Sequence, residues 1–184
     1  MVIVEAMDEL GDDLLLLAVD SSGTLVLPAK LRYGLSGSEL VRLAEAAQLL
    51  DVPIRATEQN PAGLGATVGP LAAYPQATLP KTTFSAPADP RFSALLPAGA
   101  GQIIMAGVEA HVCVLQTVFG LLGSGYRVAV AADAVGSRDP ADRAAAIDRA
   151  RQHGAEIVTS EMVLFEWLHD ARHPKFREVQ KLLK

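Results

Sequence analysis

At 184 residues, half of them apolar and a fifth charged, the chain has the size and make-up of one soluble globular domain with a sizeable core, here residues 1–184. Its net charge of −5 argues against nucleic-acid or anionic-membrane partners, and a single cysteine cannot form an internal disulfide. The longest early apolar run, Leu14 to Val19, is too short to span a membrane, and the acidic residues before it do not suit a signal peptide, so a cytoplasmic protein is expected.

The run LLLLAV from Leu14 to Val19 reads as a strand buried on both faces. Ser36 to Leu50 places Leu40, Leu43, Ala44, Ala47 and Leu50 on one side of a helix. Val52 to Thr57 is a second strand. The stretch from Glu58 to Leu95 is rich in Pro, Gly, Thr and Ser and too long for a plain connector, so it is expected to carry function. A short strand around Ala77 to Leu79 sits inside it. Gly63, Gly65 and Gly69 imitate a dinucleotide fingerprint but follow a polar loop, and they read as turn glycines. Gln102 to Ala106, Arg127 to Ala132 and Ala155 to Thr159 are further strands. Helices follow them at His111 to Leu122, Ala141 to His153 and Glu161 to Leu168, and a last helix spans about Pro174 to Leu183. Ser160 and Glu161 open one helix; Gly123, Gly125 and Gly154 close others.

This alternation predicts an α/β fold, a doubly wound parallel sheet with helices on both faces. In the order 3-2-1-4-5-6, ligands bind between the first and fourth strands, at the strands' carboxyl ends. Asp20 ends the first strand, Lys81 follows the short strand of the long loop, and Cys113 begins the helix after the fourth. Three chemically useful groups thus fall on one sheet edge. A thiol must be a thiolate to attack, and a helix start, a carboxylate that takes its proton and an ammonium that holds its charge all favour that form. Backbone N–H groups in the turn Gly107 to Cys113 suit an oxyanion. A lone cysteine is otherwise a small buried hydrophobe.

GVEAHVCVLQT, together with AVD, TEQNPAGLGATV, KTTFSA, DAVGSRDPADRAAAI, TSEMVLFEWL and HPKFREVQKLL, resembles the isochorismatase-like cysteine hydrolases, in particular the branch of isochorismatase-domain and YcaC-like proteins. The resemblance runs from about Leu14 to the end. It implies an Asp20–Lys81–Cys113 triad, a cis peptide between Val108 and Glu109, and an oxyanion hole from the N–H groups of Glu109 and Cys113. It also implies the doubly wound sheet and a homo-oligomer whose subunits wall the pocket. Members usually carry Gln two residues after the first aspartate; here the run is AVDSSG, with Ser22 in that place, which alters a pocket wall. The Asp-x-His-x-x-His metal site of the nicotinamidase branch is replaced by RATEQNPAGLG, so neither a metal nor another cofactor is expected. Isochorismate is disfavoured as substrate, because its vinyl-ether cleavage needs no cysteine.

Glu58, Gln59 and Phe84 are candidates to line the pocket, and so is His111, which two residues from Cys113 on a helix would not face it. His153, His169 and His173 read as surface or helix-end residues. The expected activity is hydrolysis of a C–N amide bond in a small molecule through a thioester. Two rivals differ in kind. One is a non-catalytic binding or interaction module of the same fold. The other is a haloacid-dehalogenase-like phosphatase starting at DSSGTL, in which Ser22 stands where a second aspartate is needed and Lys81 and Asp133 would complete the set.

Overall fold

The computed structural model describes residues 14–19, 37–64, 66–67, 69–98 and 100–183. Six parallel strands form one sheet: β1 (Leu14–Val19), β2 (Ile54–Gln59), β3 (Ala77–Lys81), β4 (Gln102–Val108), β5 (Arg127–Gly136) and β6 (Glu156–Val158). Their order is β3-β2-β1-β4-β5-β6. The chain reverses direction of growth between β1 and β4, and the carboxyl ends of β1 to β4 form the crevice where such sheets bind ligands.

β4 shows why the sheet lies in the middle of the molecule. All of its residues are buried. Ile103 and Met105 enter one core with Val118, Leu121 and Val130. Ile104 and Ala106 enter the other with Leu43, Ile54, Leu164 and Trp167. A strand has period two, so a continuous apolar run supplies both faces. Each fully buried Leu or Ile contributes about 1.5–3 kcal/mol.

The first core is covered by α5 (Leu115–Gly123) and α6 (Pro140–Gln152), the second by α1 (Gly37–Leu49), α7 (Ser160–Leu168) and α8 (Phe176–Lys181). Two of these helices are stopped at their starts by side chains. Asp139 accepts from Ala141 N ahead of Pro140, and Thr159, rather than Ser160, caps α7 by accepting from Met162 N. Gly125 and Gly154 take positive φ after α5 and α6, where a side chain would be strained.

The stretch 58–95 differs most from its expectation. Glu58 and Gln59 are not loop residues: β2 continues through them, because backbone pairing with Pro80 and Lys81 does not require apolar side chains. Lys81 is the last residue of β3 and does not follow it. Between and after the strands lie single turns, α2 (Pro61–Leu64), α3 (Gly69–Ala72), a tight turn at Ala86–Ala88 and α4 (Phe92–Leu95). Gly63 lies inside α2 and Gly69 opens α3, so neither is a plain turn glycine. Elements of three or four residues are too short to show a period in the sequence.

Candidate active site

The site is assembled at the ends of β2, β3 and β4. Gln59 and Lys81 are register partners across β2 and β3, and Asn60 N donates to Lys81 O at 2.8 Å just beyond them. This lock brings their side chains together: Lys81 Nζ donates to Gln59 Oε1 at 2.8 Å. The same ammonium donates to Thr83 O at 3.1 Å and to Phe84 O at 3.4 Å, in the loop that leaves β3. Lys81 is only 2% exposed. Burial of an ammonium in this way is tolerated when hydrogen bonds replace its water.

Cys113 approaches from β4. Gly107 takes φ +116, and the Val108–Glu109 peptide that follows is cis. The chain then makes one wide π-type turn, Ala110–Val114, before α5 begins at Leu115. Cys113 therefore sits in this turn and not in the first turn of a regular α-helix. Val112 N and Val114 N both donate to Glu109 O, at 3.1 and 3.2 Å, on either side of the Cys113 amide. π-turns of this kind occur often at functional sites. Cys113 is 6% exposed, and its Sγ lies 4.0 Å from Gln59 Oε1. One amide oxygen is thus shared by the only thiol and a buried ammonium.

Asp20 lies outside the described residues, as do Ser21 and Ser22. Val19, just before it in the chain, is the register partner of Gly107, two residues before Glu109. The remaining pocket candidates divide. Glu58 Oε1 accepts from both N and Oγ1 of Thr67 at 2.7 Å, so it ties down the loop after α2. Phe84 meets Lys81 through its carbonyl among these contacts, and the residue is 52% exposed. His111 turns toward the start of α6: Nδ1 is 2.9 Å from Ser137 Oγ, and Nε2 is 3.6 Å from Asp142 and 3.9 Å from Glu109. The Glu109 carboxylate pairs with Arg138 at 2.9 Å. Asp133, which the phosphatase reading would need, accepts from Ser160 N and Oγ at the start of α7. His153 and His169 terminate α6 and α7, and His173 Nδ1 accepts from Lys175 N.

Three residues that hold the Lys81 side of the site have no expected role in the sequence reading. Asp89 accepts from Arg91 Nε at 2.9 Å and from Nη2 at 2.8 Å, and Arg91 Nη2 also donates to Pro80 O at 2.6 Å, beside Lys81. Hydrogen bonds from Arg91 hold the Asp89 carboxyl down at about 2, with the Lys81 charge a smaller influence. Thr117, fully buried on α5, accepts from Ala86 N at 3.0 Å and fastens the loop after Lys81 to the helix after Cys113. The Asp-Pro-Arg run is a turn signal that could have marked the first pair. Thr117 gives no such signal, since only the tertiary packing brings it to Ala86.

Comparison with known proteins bears on the family and the fold. The Isochorismatase domain family matches residues 37–162. Isochorismatase domain-containing protein 2 of Xenopus laevis is 43% identical over 148 residues, 79% of this chain and 72% of that protein. The structure described as MAR1 ribonuclease from Caenorhabditis elegans superposes with a TM-score of 0.83 at 35% identity, covering 94% of this chain and 90% of that one. YcaC is similar in two structures. That from Escherichia coli, described as an octameric hydrolase of unknown specificity, has a TM-score of 0.81 at 26% identity, covering 93% of each chain. That from Pseudomonas aeruginosa, with hexane-2,5-diol and covalent acrylamide, has a TM-score of 0.83 at 27% identity, covering 94% and 89%. By its matched domain, its level of identity to the Xenopus protein and its fold, the chain belongs to the isochorismatase family.

Proposed function

We propose that the protein is a cysteine hydrolase that cleaves a C–N amide bond in a small molecule through a thioester. The observation that carries this reading is the meeting of Cys113 Sγ and Lys81 Nζ at one oxygen, Gln59 Oε1. A thiol that shares an amide oxygen with a buried ammonium is in a setting that favours the thiolate.

Asp20 is assigned as general base. Its carboxylate takes the S–H proton as Sγ bonds to the substrate carbonyl carbon, and Lys81 offsets the negative charge on sulfur. The N–H groups of Glu109 and Cys113 receive the oxyanion. The C–N bond breaks, and the amine or ammonia leaves with the proton from Asp20. Asp20 then takes a proton from water as its oxygen attacks the thioester. The acid departs, and the sulfur recovers that proton. Such a scheme requires neither metal nor cofactor.

Relatives support the class. The Escherichia coli relative is described as a hydrolase, and the Pseudomonas aeruginosa relative carries acrylamide covalently, as a protein with a reactive group would. An octameric relative also favours an oligomer here. The ribonuclease description of the Caenorhabditis elegans protein is not carried over, since a net charge of −5 does not suit a polyanion. A cytoplasmic location goes with this reading.

The test is the rate of iodoacetamide alkylation of the native protein against pH, followed by a panel of small amides. With one cysteine the signal has one source. An inflection well below the free-thiol value of about 8.5 is expected. Cys113→Ser should lower turnover of any amide found by roughly a thousandfold or more. A thiol inert until the protein unfolds, with no amide turned over, would leave the non-catalytic binding module as the better account.

A further inference from the structure

Gln59 holds a place that the hydrolase scheme leaves without a role. Its amide is fixed at both ends. Nε2 donates to Thr82 O at 2.7 Å, and a carbonyl oxygen can only accept. Oε1 receives Lys81 Nζ, and an ammonium can only donate. The two contacts independently demand the same amide orientation, so Oε1 faces Lys81 and Cys113. A carboxylate in this position would face Thr82 O with an oxygen, and a shorter Asn side chain would lose reach by one methylene.

We propose that Gln59 is a positioning residue for the nucleophile: its neutral amide oxygen holds Lys81 at the same group that meets Cys113, and it does so without adding a charge of its own. The inference rests on Cys113 being the nucleophile and adds what keeps its counter-ion in place. The side-chain carbonyl lies within reach of both groups and carries no net charge. A glutamate there would make an ion pair with Lys81 and set a second negative charge next to the sulfur, and both effects disfavour the thiolate.

Among the described residues, other charged groups around the turn are engaged elsewhere. Glu58 on β2 is held by Thr67, and Asp89 in the loop after β3 by Arg91. Glu109 and His111, on the turn's own segment, face Arg138 from the end of β5 and Asp142 from α6. Asp20 is the assigned base of the unsubstituted scheme. Among the described residues, Lys81 is the charged group that residue 59 and the thiol have in common through Gln59 Oε1.

The experiment measures alkylation by iodoacetamide against pH in the full chain, for the wild type, Gln59→Glu and Gln59→Met, with thermal melting as a check on folding. Gln59→Glu is expected to raise the alkylation midpoint by about one pH unit or more, a tenfold loss of thiolate at a fixed pH below it. Gln59→Met, similar in length but without the carbonyl, should raise it by less, because Lys81 is still held by Thr83 O and Phe84 O. It carries the test if the glutamate variant does not fold. A merely structural glutamine would change the melting temperature and leave the midpoint in place. A low wild-type midpoint that neither folded variant moves overturns the role of Gln59 and leaves the nucleophile standing. A wild-type thiol that is inert until unfolding overturns both.

Discussion

The two halves of the sheet are held by different physics. On the β4–β5–β6 side, the strands and the helices α5, α6 and α7 meet through apolar side chains, with Val118, Leu121, Val163 and Leu164 fully buried. On the β2–β3 side, single turns are fastened by directed polar contacts: Gln59 to Thr82, Glu58 to Thr67, Arg91 to Asp89 and Pro80, and Thr117 to Ala86. Apolar packing is non-directional and holds by close fit, whereas hydrogen bonds fix angle and distance group by group. Cys113 stands on the first kind of support and Lys81 on the second. Rigid packing places the thiol, and the polar ties place what surrounds it.

The largest effect should come from the packed half. Leu121→Ala, at a site with no exposed surface, is expected to lower stability by about 2–5 kcal/mol in denaturant unfolding. A loss below 1 kcal/mol would mean that close apolar packing does not hold this half, and the contrast would fail.

A smaller effect is expected where the halves touch. A Cβ on Gly120 would lie 3.0 Å from Pro87 Cγ and from Ser85 Oγ. Gly120→Ala brings a helix-propensity gain of about 1 kcal/mol against an overpacking loss of about 1–3 kcal/mol. The ring of Pro87 yields little, so a net loss of about 1 kcal/mol should appear as a lowered melting temperature. A raised melting temperature would show that the loop after Lys81 gives way freely.

The smallest change sharpens the comparison through pH. The Asp89 carboxyl lies below its usual 3.8, at about 2, chiefly because of Arg91. A depressed carboxylate stabilises the folded form fully above its unfolded value, and that contribution disappears as the pH falls through about 2. The wild type should therefore melt higher than Asp89→Asn at pH 6, and the gap should narrow as the pH approaches 2. A gap that stays constant across this range would remove the ion pair from the account of how β3 is held.

The same contrast explains what could be read from the residues alone. Strand and helix order, α1, and the continuous strands β1 and β4 follow from apolar periodicity, because burial leaves a period in the sequence. β5 runs on to Gly136, four residues past the apolar stretch, with its register to β4 irregular between Met105 and Gly107. The turns between Asn60 and Leu95 leave no period, and the extension of β2 through Glu58 and Gln59 depends on a neighbouring strand. At the site, Cys113 and Lys81 are legible as a thiol and an amine at strand ends, and the family resemblance links them. The π-type turn that carries Cys113 is not legible, since HVCVLQT suits an ordinary α-helix equally well. His111 is readable in one respect only: two residues along a helix it would face away from Cys113, and it does point to Ser137 and Asp142.

The ends of the sheet bear on assembly. Its two outermost strands are β3 and β6. β6 is three residues long, and β3 contains Pro80, whose nitrogen has no hydrogen to give and whose carbonyl is occupied by Arg91. Among the described residues, neither border offers a long run of open backbone groups on which another chain could add a strand. If copies of this chain associate, helices and loops would carry the contact in place of strand addition at these borders, and the same blunted borders would discourage edge-to-edge aggregation.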